Sequence, residues 1–586
     1  MLLRLIRTLF RRRKNPATLN ALALDHYERR ELDKAEHYFR AIALETPSDV
    51  TAWTNLAVSL IAQLKHAAAV PVLMKVVDMQ PDLAEAHLDL GVCYNRLRQN
   101  ADAISHYKKA IALKPDLHKA HANLVNAHLD CCDWNAVDRW SADFRRYKSR
   151  QPGRLWSQRI EPFSALTLFP GKTCKEVAIY RAKAIAHSIK GQVGAHVSHR
   201  GPYAHEKIRV GYVSADFHDH ATAHLTFGLY GAHDRGAFEV FAYSMGPADG
   251  SSYRMHIEQT CDHFVDVRFE TAERTAERIR ADEIDILVDM KGYTANGRPQ
   301  IFAFRPAPVQ VSYLGYPGTT GAEFVDYFIS DHIATPTGYE GEFTEKVVRL
   351  PGSYQVNDGR QEISDHAFVR ADFGLPEDAF VFCSFNRLGK IDRTIFSAWM
   401  EILRRVPSAV LWLIREDPQA EVNLRREARS RNIDPERLIF SEKVSKAEHL
   451  ARHRLADLFL DTYIYNAHTG ASDALWAGLP VVTCPGKTFA SRVAASLLCA
   501  AEIPELIAAD LAQYESMAVR LAGNPKMLRE IHGKLAQSRA TCALFDTPRF
   551  VRHLEAAYRR MHEICARGGA VQSFSVSAEV AKSPPA

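Results

Sequence analysis

Residues 461–492, DTYIYNAHTGASDALWAGLPVVTCPGKTFASR, decide how the rest of the chain is read. DLFLD at 457–461 is a short apolar run fit for a strand, 466–469 is a polar turn, and 470–478 reads as a helix with Thr469, Gly470, Ser472 and Asp473 in its first turn. Such a helix start offers unpaired backbone N–H groups, a positive dipole end and a glycine that lets a ligand come close, which is what a diphosphate requires. Ordinary capping uses the same residues, so the pattern takes its weight from its surroundings. The apolar run at 481–483 makes the next strand, with a Pro-Gly turn at 485–486 behind it.

Working outward, an apolar strand, a turn and an amphipathic helix alternate from Lys207 onward. Strands are expected at 208–213, 238–243, 284–290, 309–314 and 327–330, and, after an irregular crossing at 362–373, at 380–385, 410–414, 438–441, 458–460 and 481–483. This alternation predicts an α/β protein with parallel sheets covered by helices on both faces, and two successive sets predict two lobes with a cleft between them. The expected division is a first lobe at 206–375, a second at 376–566 ending in closing helices, and a disordered tail at 567–586.

The front of the chain is different. Pro47, Pro81 and Pro115 are spaced by 34 residues, as are Ala35, Ala69 and Ala103, with Phe39, Leu73 and Tyr107 in the matching apolar slot. This period and residue pattern resemble the tetratricopeptide repeat, whose helix pairs stack into a solenoid with a concave face. The solenoid is expected over residues 16–150, its fourth copy eroded, followed by a helical junction at 151–205 with its clearest helix at 174–189. Equivalent positions hold Asn55, Asp89 and Asn123, polar groups that would line the concave side and bond to an acceptor protein or peptide there, or else be simply solvated.

Composition narrows the classes. A chain of 586 residues, 47% hydrophobic, holds several cores, and a formal charge of +5 spread along it gives no reason to expect a nucleic-acid partner. Ten cysteines without a Cys-x-x-Cys fit a reducing cytoplasm. The basic, apolar leader at 1–15 is too short and too interrupted by Arg4 and Arg7 to span a bilayer, and no other run is long enough, so no membrane span is expected.

Polar residues gather at four strand ends. SADFHDHATAH at 214–224 carries His218, His220 and His224, for which a catalytic or substrate-binding imidazole is a better reading than zinc, because no further ligand set accompanies them. GYPGTTG at 315–321 brings bare backbone near a ligand, FNRLGKID at 385–392 supplies Arg387 and Lys390, and KAEH at 446–449 opens a helix. Neither an Asp-x-Asp at a strand end nor a Gly-x-Gly-x-x-Gly after a first strand is found, which disfavours a metal-clamped nucleotide or a dinucleotide cofactor.

FNRLGKID (385–392), FSEKVSKAEH (440–449), RLADLFLDT (454–462), AHTGASDALWAGLPVVTCPG (467–486) and ASRVAAS (490–496), with RPAPVQVSYLGYPGTTG (305–321) and SADFHDHATAHL (214–225), resemble the catalytic region of the O-GlcNAc transferases. With the repeats in front the resemblance covers about residues 16–560, and the lobes run together without the large insert of animal members. The resemblance implies a GT-B fold of two Rossmann-like lobes behind an all-α solenoid. It implies an inverting, metal-independent enzyme, with no cofactor, that moves N-acetylglucosamine from UDP-N-acetylglucosamine to Ser or Thr hydroxyls.

By motif, Lys390 would bond to the diphosphate, His468 and Thr469 would hold uracil and phosphate, Asp473 the ribose, and Val444, Lys446 and His449 the uridine. Arg387 falls in the donor pocket, where animal members have Gln. Leu314, Gly315 and Pro317 would pack the sugar, and His220 would face it as general base or, if the α-phosphate takes the proton, as an orienting group. Gly470 stands where animal members have a second Thr and Tyr465 where they have Cys, so GDP-fucose or UDP-glucose remain alternative donors. A non-catalytic adaptor built on the repeats and a transferase acting on small molecules or glycans are the competing functions.

Overall fold

The computed structural model describes residues 16–150, 155–189 and 201–579; the leader at 1–15, much of the junction and the chain after 579 lie outside the described residues. The described chain divides into two compact units, the first running to His128 and the second from Leu129 onward.

The first unit is built from helical hairpins, among them Val50–Ala62 with His66–Met79 and Ala84–Arg96 with Asn100–Leu113. The 34-residue period carries a hydrogen bond as well as an apolar pattern. Trp53 Nε1 donates to the Pro47 carbonyl at 3.2 Å, and the ring Nε2 atoms of His87 and His121 reach the Pro81 and Pro115 carbonyls at 3.1 and 3.0 Å. Each proline ends a helix, and the ring nitrogen six residues later takes up its carbonyl, so the turn is fixed in the same way three times. Small and large residues are paired inside the hairpins. Tyr107, fully buried, lies against Gly91, while the equivalent positions one repeat earlier hold Ala57 and Leu73. Asn55, Asp89 and Asn123 are all half-buried, and burial raises the Asp89 carboxyl to about 6.

The helix Trp134–Arg150 belongs to the second unit, because Trp134 packs on Phe396 and donates its Nε1–H to the Ile391 carbonyl at 3.0 Å.

Within the second unit the strands form two all-parallel sheets. The first contains β1 (Ile208–Ser214), β2 (Phe238–Ser244), β3 (His263–Asp266), β4 (Ile286–Asp289), β5 (Val309–Ser312), β6 (Tyr327–Asp331) and β7 (Lys346–Leu350). The second contains β8 (Val381–Ser384), β9 (Val410–Ile414), β10 (Leu438–Ser441), β11 (Leu458–Leu460) and β12 (Val481–Val482). β3 and β7 escape the sequence reading because β3 is only partly buried and β7 follows an irregular loop. The tail read as disordered is corrected in its first half. β13 (Phe574–Ser575) pairs in parallel with β7 at the sheet edge, anchored by Phe574, which is buried against Tyr327.

The strand orders are β13-β7-β6-β5-β4-β1-β2-β3 and β10-β9-β8-β11-β12. In each sheet the order reverses once, between β1 and β4 in the first and between β8 and β11 in the second. Open parallel sheets bind ligands at the carboxyl ends of the strands at such a reversal. The C-terminal helix Thr547–Ala566 returns to the first sheet, where Glu555 Oε1 accepts from His233 Nδ1 at 3.0 Å and from the Asp234 amide at 2.7 Å. Residues 489–496 reach the first lobe too, with Phe489 edge-on to Phe328 and Tyr354 and the Ser496 hydroxyl donating to Asp331 Oδ2 at 2.6 Å. Among the described residues no helix is long and apolar enough to cross a membrane.

A methyl group at Gly91 would collide with the Tyr107 ring. Gly91→Ala is expected to cost about 1–3 kcal/mol of stability by overpacking, read by far-UV circular dichroism on denaturation, and Tyr107→Leu in the same chain should recover most of it.

Candidate functional site

The two reversal points supply the polar residues of one site. From β1 the chain enters the turn to the helix Ala221–Thr226, whose N-cap is His220. The His220 ring Nδ1 accepts the Thr222 backbone N–H at 3.1 Å, so in the neutral ring the proton sits on Nε2. Its Nε2 is therefore a donor. Partial burial, opposed by Asp216 and reinforced by Lys291, pushes its pKa below the usual imidazole range. From β4 comes Lys291, whose buried ammonium lies 2.7 Å from both carboxylate oxygens of Asp216. Sequence reasoning passed over this pair, since its members are 75 residues apart and meet only because β1 and β4 are neighbours.

The rings of His218 and His220 lie 5.6 Å apart, but each of the three histidines of this turn has its own carboxylate partner. His218 faces Asp249, His220 faces Asp216 and His224 bonds to Asp219 at 2.7 Å. Among the described residues no cluster of three His, Cys, Asp or Glu is arranged to hold a metal ion. From β5 the chain passes through Leu314 at φ +69°, a left-handed conformation uncommon for a branched side chain, into Gly315, where a Cβ would strike the Met290 carbonyl. Bare backbone is thereby held at this strand end, with Pro317 two residues further on.

In the second lobe, Lys390 follows β8 and the loop 461–468 follows β11. The Nζ of the half-buried Lys390 donates to the Asn466 carbonyl at 2.8 Å and lies 4.0 Å from the centre of the Tyr465 ring. Burial lowers its pKa to about 7, with Asp461 pulling it up and Arg387 pulling it down. Two residues beyond Ala467 the helix Thr469–Trp476 begins, and among the described residues the amides of Thr469 and Gly470 donate to no protein acceptor. An ammonium and a free helix N-terminus therefore meet at the β8/β11 reversal. A side chain at Gly470 would have open space around it.

His468 caps this helix and bonds through Nε2 to the Ala490 carbonyl at 3.1 Å, which leaves Nδ1 as an acceptor in the neutral ring. Burial and Lys390 hold its pKa well below the usual range. His449 is arranged in the opposite sense. Its Nδ1 accepts from Arg452 at 3.1 and 2.8 Å, leaving Nε2–H as a donor, and burial together with His453, Arg452 and Lys446 keeps it neutral. Lys446 is ion-paired with Asp473 on the helix Thr469–Trp476, and Val444 sits half-buried just before Lys446. The lobes face each other here, since Lys446 and Asp473 both act electrostatically on His224.

The Arg387 guanidinium pairs with Asp130, Nη2 lying 2.6 and 2.8 Å from the two carboxylate oxygens. The stretch around Asp130 cradles the lysine-bearing loop. Cys132 Sγ approaches the Leu388 carbonyl at 3.4 Å and Trp134 bonds to Ile391, while the Leu388 amide donates to Glu416 at 3.0 Å.

Compared with known proteins, the sequence model described as glycosyl transferase family 41 matches residues 182–368 and 366–554, and tetratricopeptide models match residues 20–73 and 84–117. The chain is 37% identical over 465 residues to a protein of Arabidopsis thaliana named a probable UDP-N-acetylglucosamine peptide N-acetylglucosaminyltransferase, SEC, covering 76% of this chain and 47% of that one. It is 30% identical over 547 residues to the UDP-N-acetylglucosamine peptide N-acetylglucosaminyltransferase of Caenorhabditis elegans, covering 72% and 47%. The chain thus spans about half the length of the curated relatives it matches. Among solved structures, a variant of the Thermobaculum terrenum O-GlcNAc transferase superimposes with a TM-score of 0.70 at 26% identity, over 95% of this chain and 98% of that one. The helical repeats followed by two parallel-sheet lobes are thus a GT-B-like arrangement.

Lys291 and Asp216 are both almost fully buried. Lys291→Met is expected to destabilise the protein by about 3–5 kcal/mol, because it leaves a buried carboxylate uncompensated. Adding Asp216→Asn should return most of that loss in a denaturation double-mutant cycle.

Proposed function

The chain belongs to glycosyl transferase family 41, and from that premise we propose that it is an inverting, metal-independent transferase that moves N-acetylglucosamine from UDP-N-acetylglucosamine to Ser or Thr hydroxyls of proteins. The observation that carries this reading is the meeting of the Lys390 ammonium with the open helix start at Thr469 and Gly470, through the Asn466 carbonyl. Displacement at the anomeric carbon builds negative charge on the departing diphosphate. A half-buried cation and free backbone amides stabilise that charge without a metal ion.

The remaining residues divide between base, sugar and acceptor. His449 offers its Nε2–H to an acceptor such as a pyrimidine carbonyl, and the Lys446–Asp473 pair offers a carboxylate to a ribose hydroxyl. The exposed backbone at Leu314, Gly315 and Pro317 lies at a strand end suited to packing the sugar. The N-cap bond of His220 favours the role of donor to substrate over that of general base. The acceptor's proton then leaves to an oxygen of the donor's own phosphate. The repeats guide the acceptor, with Asn55 and Asn123 as candidate contacts to its backbone. Ten unpaired cysteines support work in a reducing cytoplasm.

Lys390→Met is expected to lower kcat by about 10²–10³, the size of losing one preorganised charge-stabilising group, while UDP affinity measured by calorimetry changes far less; equal losses in both would contradict the role. Transfer to an acceptor protein, followed by mass spectrometry, should persist in EDTA and should be fastest with UDP-N-acetylglucosamine. A preference for GDP-fucose or UDP-glucose would reassign the donor.

A further inference from the structure

A single peptide group joins a buried carboxylate to a half-buried ammonium at the β8/β11 reversal. Asp461 closes β11 and is 1% exposed. Its Oδ1 accepts the backbone N–H groups of Thr462 and Ala467 at 2.8 and 2.6 Å, and its Oδ2 accepts the Thr483 hydroxyl at 2.6 Å. The Ala467 N–H belongs to the same peptide group as the Asn466 carbonyl, and that carbonyl takes the Lys390 ammonium at 2.8 Å. Carboxylate, peptide and ammonium thus form one line. The anion draws on the N–H, the cation draws on the carbonyl oxygen, and each strengthens the other's hydrogen bond.

The surroundings single out Asp461. Burial lowers Lys390 and raises Asp461, each to about 7, and each is drawn back toward its charged form by the other. The other groups facing Lys390 do not replace this anion. Arg387 is cationic and opposes the lysine's charge, His468 is kept neutral, and Tyr465 presents its ring face.

We propose that Asp461 is a positioning residue for the transfer reaction: through the Asn466–Ala467 peptide it keeps the Lys390 ammonium charged and aimed at the donor diphosphate. This rests on the reading of Lys390 given above. The active form carries protonated Lys390, so kcat/KM falls as pH rises through the lysine's pKa. Removing the Asp461 charge lowers that pKa, and the fall begins at lower pH.

The test is the pH profile of kcat/KM for UDP-N-acetylglucosamine with a protein acceptor, in wild type, Asp461→Asn and Thr483→Val. Asn retains an acceptor for Ala467 but not the charge. Asp461→Asn is expected to move the alkaline limb down by about one pH unit, losing about tenfold at pH 8 and less than about threefold at pH 6. Thr483→Val, which removes only the hydroxyl bond to the carboxylate, should move the limb in the same direction by less and covers the case in which Asp461→Asn does not fold. An Asp461→Asn or Thr483→Val profile lowered equally at every pH would overturn the proposal, since a merely structural role scales the curve without shifting it. Lys390→Met separates the two readings. Unchanged turnover in that variant overturns the assignment of Lys390 and this inference with it. Lost turnover with unshifted Asp461→Asn and Thr483→Val profiles overturns this inference alone.

Discussion

A lysine ammonium drawn partly out of water has to be answered by groups already in position, and the second lobe is arranged to answer Lys390. The answer consists of one carbonyl, one aromatic face and one carboxylate acting through a peptide bond. All three come from the loop after β11, so the lysine loop after β8 must lie beside it. The strand order meets that requirement, since β8 and β11 are hydrogen-bonded neighbours although two strands separate them in sequence. The crossing of the chain at this point is what creates both the crevice and the charge pair within it.

The first lobe repeats the arrangement with different chemistry. At the reversal between β1 and β4 a lysine, here buried, again meets a buried aspartate, but the contact is direct, and both carboxylate oxygens lie against the same nitrogen. Asp216 is then fully engaged, and His220 beside it is fixed by a helix N-cap. Each group in this half is held by another, which suits a surface that orients substrate. The half that contains Lys390 leaves its helix amides open and suits a surface that receives charge.

Much of this was legible in the sequence where the signal is periodic or local. The 34-residue period gave the helix pairs, apolar runs gave the central strands, and Thr469-Gly470 marked the helix start within one residue. What was not legible depends on distance in sequence or on direction of a bond. The ion pair of Arg387 joins it to Asp130, 257 residues away at the end of the last repeat-like helix, which no local motif shows. The tautomer of His220 follows from a backbone N–H two residues on, which no residue pattern reveals. Asp461 reads in sequence as the last residue of a strand, and its link to Lys390 depends on β8 lying beside β11. The tail was misread because two residues of strand, one of them buried, are too short to leave a periodic mark.

That short strand has a consequence for how the molecule comes into being. β13 covers the edge of a sheet whose other members all precede residue 351, so a ribosome delivers the first lobe's inner strands more than 200 residues before their outermost neighbour. Until then the backbone of β7 is an open edge, the kind of surface on which nascent chains pair with the wrong partner. The sheet of the N-terminal lobe is therefore complete only after the C-terminal lobe has been made.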